Sequence, residues 1–99
     1  MFEKNDKRRL YHLMDMYLSG NITDIIFCDE FYYSYDLEID IDTLTDIEKK
    51  AFSELSTISD RFSEFEEDHI KYPKGFYTAE ELKQKLIETQ EKLQEQRPI

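Results

Sequence analysis

The 99-residue chain has one cysteine, Cys28, so it can form no intramolecular disulfide. A thiolate zinc site goes with it, because such sites take more than one cysteine or a nearby histidine cluster. Cys28 is expected to be a small, reduced, half-buried residue. Two glycines and two prolines are too few for the many tight turns of an all-β fold. No apolar run approaches the roughly 18 residues needed to span a bilayer. The opening stretch Met1-Phe2-Glu3-Lys4-Asn5-Asp6-Lys7-Arg8-Arg9 is charged where a secretion signal is apolar. A soluble, cytoplasmic protein with no membrane partner is expected.

Positive charge is missing from more than a third of the chain. Residues 10–48 contain no lysine or arginine and carry ten acids: Asp15, Asp24, Asp29, Glu30, Asp36, Glu38, Asp40, Asp42, Asp46 and Glu48. The remainder balances 13 acids against 13 bases, so the formal net charge of -10 belongs to this stretch. Charge concentrated in this way makes a face with a field of its own, which attracts a basic partner and repels nucleic acid and anionic membrane. The one basic cluster, Lys4, Lys7, Arg8 and Arg9, is too small to argue for phosphate-backbone binding. No direct nucleic-acid partner is expected.

Hydrophobic residues make up 39% of the chain and include seven Phe and seven Tyr, which argues for a packed core rather than disorder. The chain is long enough for one domain, 1–99, and too short for two. Apolar spacing predicts helices over about 6–19, 23–35, 46–62 and 79–94. Leu10, Leu13, Met14, Tyr17 and Leu18 share one face of the first, and Gly20-Asn21 supplies its C-cap. Thr23 caps the second, with Ile22 stapled onto Phe27; Ile26, Phe27, Phe31 and one or more of Tyr32, Tyr33 and Tyr35 form its buried stripe. Thr45-Asp46-Ile47-Glu48 and Thr78-Ala79-Glu80-Glu81 are capping boxes. Ile47, Ala51, Phe52, Leu55, Ile58 and Phe62 mark the third core face, and Leu82, Leu86 and Leu93 the last, with Tyr77 stapling onto Leu82. The tail from Gln94 is expected to fray. Asp36-Leu37-Glu38-Ile39-Asp40-Ile41-Asp42 alternates acid with aliphatic, a period that fits an extended segment with its carboxylates in solvent. The expected architecture is all-α, a four-helix antiparallel bundle with an extended acidic connection between helices 2 and 3.

Catalytic chemistry finds little support. His12 and His69 are the only histidines, and neither has a nucleophile at motif spacing. His12 reads as a boundary residue of the first helix and His69 as a solvated loop residue. The alternating acids invite comparison with an EF-hand, but counting from Asp36 places Ile41 where the glycine belongs and Ile47 where the bidentate glutamate belongs. No catalytic residue, metal ligand or cofactor is assigned.

Three stretches, taken in order, resemble the colicin D immunity family, small helical proteins that guard bacteria against bacteriocins and related contact-dependent growth-inhibition toxins. They are Leu18-Ser19-Gly20-Asn21-Ile22 followed by Phe27 and Phe31; Leu55 followed by Asp60-Arg61-Phe62; and Tyr77-Thr78-Ala79-Glu80-Glu81-Leu82-Lys83. The resemblance covers about residues 10–90. It implies a non-enzymatic antitoxin that binds the nuclease domain of a cognate toxin, typically a ribonuclease cleaving transfer RNA, and covers its basic active-site cleft. In the family, acids at and after the segment matching Asp60-Arg61-Phe62 face the toxin. Asp60 occupies the matching position, and Glu64, Glu66, Glu67 and Asp68 follow in a longer loop.

The expected toxin-binding residues are therefore Asp60, Glu64, Glu66, Glu67 and Asp68 from this loop, with Asp29, Glu30, Tyr33, Asp36, Glu38, Asp40 and Asp42 from the acidic stretch. Tyrosines beside the acids offer large contact area at low entropy cost. A monomer or weak homodimer is expected. The alternative is an acidic adaptor, or a nucleic-acid-mimic regulator of another cationic protein.

Overall fold

A computed structural model of the chain describes residues 2–97 and is all-helical. Five α-helices follow in order: α1 (Lys7–Leu18), α2 (Asp24–Phe31), α3 (Asp46–Asp60), α4 (Glu66–Lys71) and α5 (Ala79–Lys92). A π-helical segment (Tyr32–Glu38) continues α2, and a short 3₁₀ turn (Ile41–Thr43) precedes α3. α1 packs on α2 and α5, and α3 packs on α5, α2 and the π segment.

Local signals explain most of the helix ends. Asp6 caps α1 through the Arg8 N–H, and Thr23 caps α2 through the Ile26 N–H. Both capping boxes form, Thr45 with Glu48 and Thr78 with Glu81. At the end of α1 the Gly20 N–H donates to the Tyr17 carbonyl (3.1 Å) and the Asn21 N–H to that of Met16 (2.8 Å). This is a Schellman turn, and it requires the left-handed φ of +83° at Gly20.

The core gathers one stripe from each long helix: Leu10, Leu13 and Met14 from α1, Phe27 and Phe31 from α2, Phe52 and Leu55 from α3, Leu82 and Leu86 from α5. Through it runs an aromatic ladder. Tyr17, Phe27, Phe31 and Tyr35 stack in succession with ring centroids 5.4, 5.5 and 5.3 Å apart, and Phe52 closes on Phe31 from α3 at 6.2 Å. Offset or tilted aromatic contacts of this kind add about 0.5–1.5 kcal/mol each beyond burial.

Several expectations are corrected. No extended connection joins the second and third helices. The helix of α2 runs on to Glu38 with π geometry, marked by the Ile39 N–H donating to the Ser34 carbonyl five residues back at 2.8 Å. The acid–aliphatic alternation does not pack one face: Leu37 and Ile41 are exposed, and only Ile39 leans on the core. Ile26 and Ile47 also face solvent. The connection after α3 contains α4, on which His69 is half-buried with Nε2 2.8 Å from the Ser63 carbonyl oxygen. Within the described part of the tail the expected fraying is replaced by contacts: Gln96 bonds the Thr45 hydroxyl at 2.8 Å, and Arg97 pairs with Asp15 and lies over the Tyr11 ring. Pro98 and Ile99, included in that expectation, lie outside the described residues.

Glu48 is the most consequential correction, because it does not belong to the acidic face at all. Its side chain is fully buried between α1 and α3. It accepts from the Tyr11 hydroxyl at 2.5 Å, the Lys7 ammonium at 3.1 Å and the Thr45 N–H at 2.8 Å. Burial pushes its pKa up, but these three donors outweigh burial and leave the carboxyl below its ordinary value. The stability it contributes is therefore full above the unfolded-state value and is lost as pH falls through the folded one. Glu48→Ala orphans a buried hydroxyl and the helix cap, and is expected to cost about 2–4 kcal/mol. Urea denaturation at neutral pH measures this, and an unchanged midpoint would refute the assignment.

Candidate functional site

Residues 25, 28, 29 and 32 fall at helical spacing on α2 and its π continuation, on a stripe separate from the Phe27–Phe31–Tyr35 ladder. This second stripe forms one wall of an open cleft of about 490 Å³. The end of α3 contributes Ser59 and Asp60, and the loop beyond it contributes the other wall through Phe62, Ser63, Glu64, Phe65, Asp68 and Phe76. Four carboxylates, Asp29, Asp60, Glu64 and Asp68, thus share a cleft with Ile25, Tyr32 and Phe65, residues that stay 41, 44 and 63% exposed. Among the described residues no lysine, arginine or histidine lines it.

The loop wall has its own construction. Two hydrogen bonds, from Ser63 N–H to the Tyr77 carbonyl (3.1 Å) and from Tyr77 N–H to the Arg61 carbonyl (2.7 Å), clip its ends together as a single parallel bridge of Phe62 with Tyr77. Inside the clip, Ser63 Oγ donates to Asp68 at 2.5 Å and accepts from the Phe65 N–H at 3.2 Å. Asp68 is therefore held at the start of α4 and kept turned toward the cleft.

The electrostatics are those of uncompensated negative charge. Cys28, half-buried in the cleft wall, has its thiol pushed up to about 12 by burial and then by the carboxylates of Asp24, Asp29 and Asp60. Asp36 stands beside Asp60, and its pKa is raised first by burial and then by that neighbour. The Ser56 hydroxyl bonds Asp36 and also lies 3.5 Å from Asp60, one proton between two acceptors.

The expected toxin-binding residues divide by position. Asp29, Asp60, Glu64 and Asp68 meet in the cleft, with Asp36 adjoining through Asp60. Glu38, Asp40 and Asp42 are exposed on the stretch after it, where Asp40 caps the 3₁₀ turn. Glu66 and Glu67 are exposed on α4 and do not line the cleft. Glu30 and Tyr33 lie outside it too: Glu30 pairs with Arg9 at 2.5 Å, and Lys4 sits over the Tyr33 ring at 5.4 Å. The apolar members Ile25, Phe65 and Phe76 were not anticipated, although the 25-28-29-32 spacing carries the signal for the α2 wall.

Among the described residues no three His, Cys, Asp or Glu side chains are placed to hold a metal ion. Comparisons of the chain with protein-family models, curated proteins and solved structures find no match.

The raised pKa of Asp36 has a thermodynamic sign. The folded state binds a proton at Asp36 more readily than the unfolded chain, so stability falls as pH rises through the folded value. Asp36→Asn is expected to stabilise the protein at pH ~7 by about 0.2–0.5 kcal/mol, a small gain because solvent screens the pair, and to give no charge-derived gain at pH ~3. Urea titrations at both pH values test this; destabilisation at neutral pH would show that the carboxylate is engaged favourably instead.

Proposed function

We propose that the chain is an immunity protein, not an enzyme, that neutralises a bacterial nuclease toxin by binding its basic nuclease domain one-to-one in the cytoplasm. On this reading α1, α2, α3 and α5 form the antiparallel four-helix bundle implied by the resemblance to the colicin D immunity family, and the toxin is a transfer-RNA-cleaving ribonuclease. The observation that carries the reading is the meeting of two acidic segments, far apart in sequence, in one cleft with no lining base. A nuclease that grips a phosphate backbone must present lysines and arginines. Carboxylates aligned against them occupy the place of phosphates.

The stretches that carry the resemblance have identifiable work in this chain. Gly20-Asn21 makes the turn that sends α2 back, Asp60-Arg61-Phe62 ends α3 at the cleft, and Thr78 through Glu81 opens α5 just past the loop clip. Glu38, Asp40 and Asp42 add long-range attraction beside the cleft. Among the described residues no helix is long and apolar enough to cross a membrane.

Co-expression with a candidate basic nuclease domain, sought first in the adjoining upstream reading frame, tests the proposal directly. Growth should be protected and the two proteins should co-purify; arrest despite full expression of the chain would sink it. The triple variant Asp29→Asn, Asp60→Asn, Glu64→Gln should lower the association rate about tenfold at low salt and flatten its salt dependence.

A further inference from the structure

We infer that the groove between α2 and the 62–77 loop seats a basic amphipathic segment of the partner. The apolar parts of that segment lie on Ile25, Tyr32 and Phe65, and its lysine or arginine heads reach Asp29, Asp60 and Glu64. The partner's identity rests on the immunity reading; the chemistry of the occupant rests on the groove alone. Phosphate mimicry by itself needs carboxylates and nothing else. Three large apolar side chains left exposed within one groove are a different requirement, and exposed apolar surface rimmed by polar groups is the mark of a protein contact.

The rim selects among possible occupants. An anionic ligand is repelled by four carboxylates, and a second copy of this chain would bring its own net charge of -10 to the same place. A purely apolar segment would bury the charges of Asp29 and Asp60 without a cation to neutralise them, which is costly. A polar polycation would satisfy the acids but leave the aromatic surface wet. Lysine and arginine with apolar neighbours answer both needs, since their stems lie along apolar surface while their heads stay charged.

At the residues next in sequence to Asp29 and Tyr32, the protein displays this chemistry within itself. Lys4 of the N-terminal segment lies over the Tyr33 ring at 5.4 Å, and Arg9 pairs with the neighbouring Glu30 at 2.5 Å. Tyr32 and Asp29 repeat the tyrosine-and-acid arrangement on the cleft side, with no base of the chain lining that side. The Cys28 thiol in the groove wall is raised first by its burial and then further by the carboxylates of Asp24, Asp29 and Asp60.

Two fluorescein-labelled peptides of about 15 residues and equal charge, one of lysine and leucine patterned as an amphipathic helix and one of lysine and serine, separate the possibilities. At ~150 mM salt the Lys/Leu peptide is expected to bind about tenfold more tightly than the Lys/Ser peptide. Its amide shift changes should fall on residues 25–32 and 59–76. Phe65→Ser, at an exposed position that leaves the core intact, and Asp29→Asn should each weaken Lys/Leu binding about fivefold, and Phe65→Ser should leave Lys/Ser binding unchanged. Equal affinity for the two peptides, shifts centred on residues 38–42, an indifferent Phe65→Ser variant, or no binding of either peptide would overturn the inference. Growth protection keeps the two readings distinct. Equal affinity for the two peptides alongside full protection by the wild-type chain defeats the groove alone, and failure of the wild-type chain to protect defeats the immunity reading.

Discussion

Like-charge repulsion is the constraint under which this fold is built. Ten acids in a stretch without a single base would oppose compaction, and the chain answers by engaging some of them internally while leaving the others free. Glu48 is buried against Lys7 and Tyr11, Glu30 pairs with Arg9, Asp15 with Arg97, and Asp24 accepts from the Tyr17 hydroxyl. In each case the partner comes from outside the acidic stretch or from the opposing face of α1. Asp29, Asp36, Glu38, Asp40, Asp42 and Asp46 form no ion pair among the described residues. The division separates charge that holds the helices together from charge turned outward, where Asp36 and Asp60 still press on one another. A cation brought to that face would relieve the repulsion, so the electrostatics that weaken the isolated fold would favour such an encounter.

Helix ends were legible in the sequence because each is decided by a few neighbouring residues. The capping boxes at Thr45 and Thr78 and the glycine stop at Gly20 need no knowledge of the tertiary fold, and all three stand in the structure. The acidic stretch after α2 was not legible in the same way. Alternation of acid and aliphatic suggests a strand only if one face is packed, and here nothing packs on Leu37 or Ile41. What the alternation does not reveal is the aromatic ladder: Tyr35 stacks on Phe31 four residues back, which needs a helical backbone rather than an extended one. The fate of Glu48 was partly visible. A glutamate at the third position of a capping box reaches back to the cap, but its burial depends on Tyr11 and Lys7, which are distant in sequence. The candidate site was half legible for the same reason, since its acids announce themselves by charge while its apolar wall is a matter of which residues the loop brings opposite α2.

The two stripes of α2 show how one short helix serves both ends. Phe27 and Phe31, followed by Tyr35, face inward and supply the rigid stack. Ile25, Cys28, Asp29 and Tyr32 face the cleft, and their positions are inherited from the rigidity of the ladder behind them. Contact residues mounted on a well-packed element lose little freedom when a partner arrives, which favours slow dissociation.

The clip between Phe62 and Tyr77 sets the loop apart from the helices it joins. Its two hydrogen bonds fix the points of departure and return, so α3 and α5 meet the same geometry whatever lies between. Within that loop Phe65, Ile70 and Tyr72 contribute mostly exposed surface, so changes at these positions leave the packed core of the bundle intact. Surface of that kind can be rewritten position by position while the helices beneath it keep their packing.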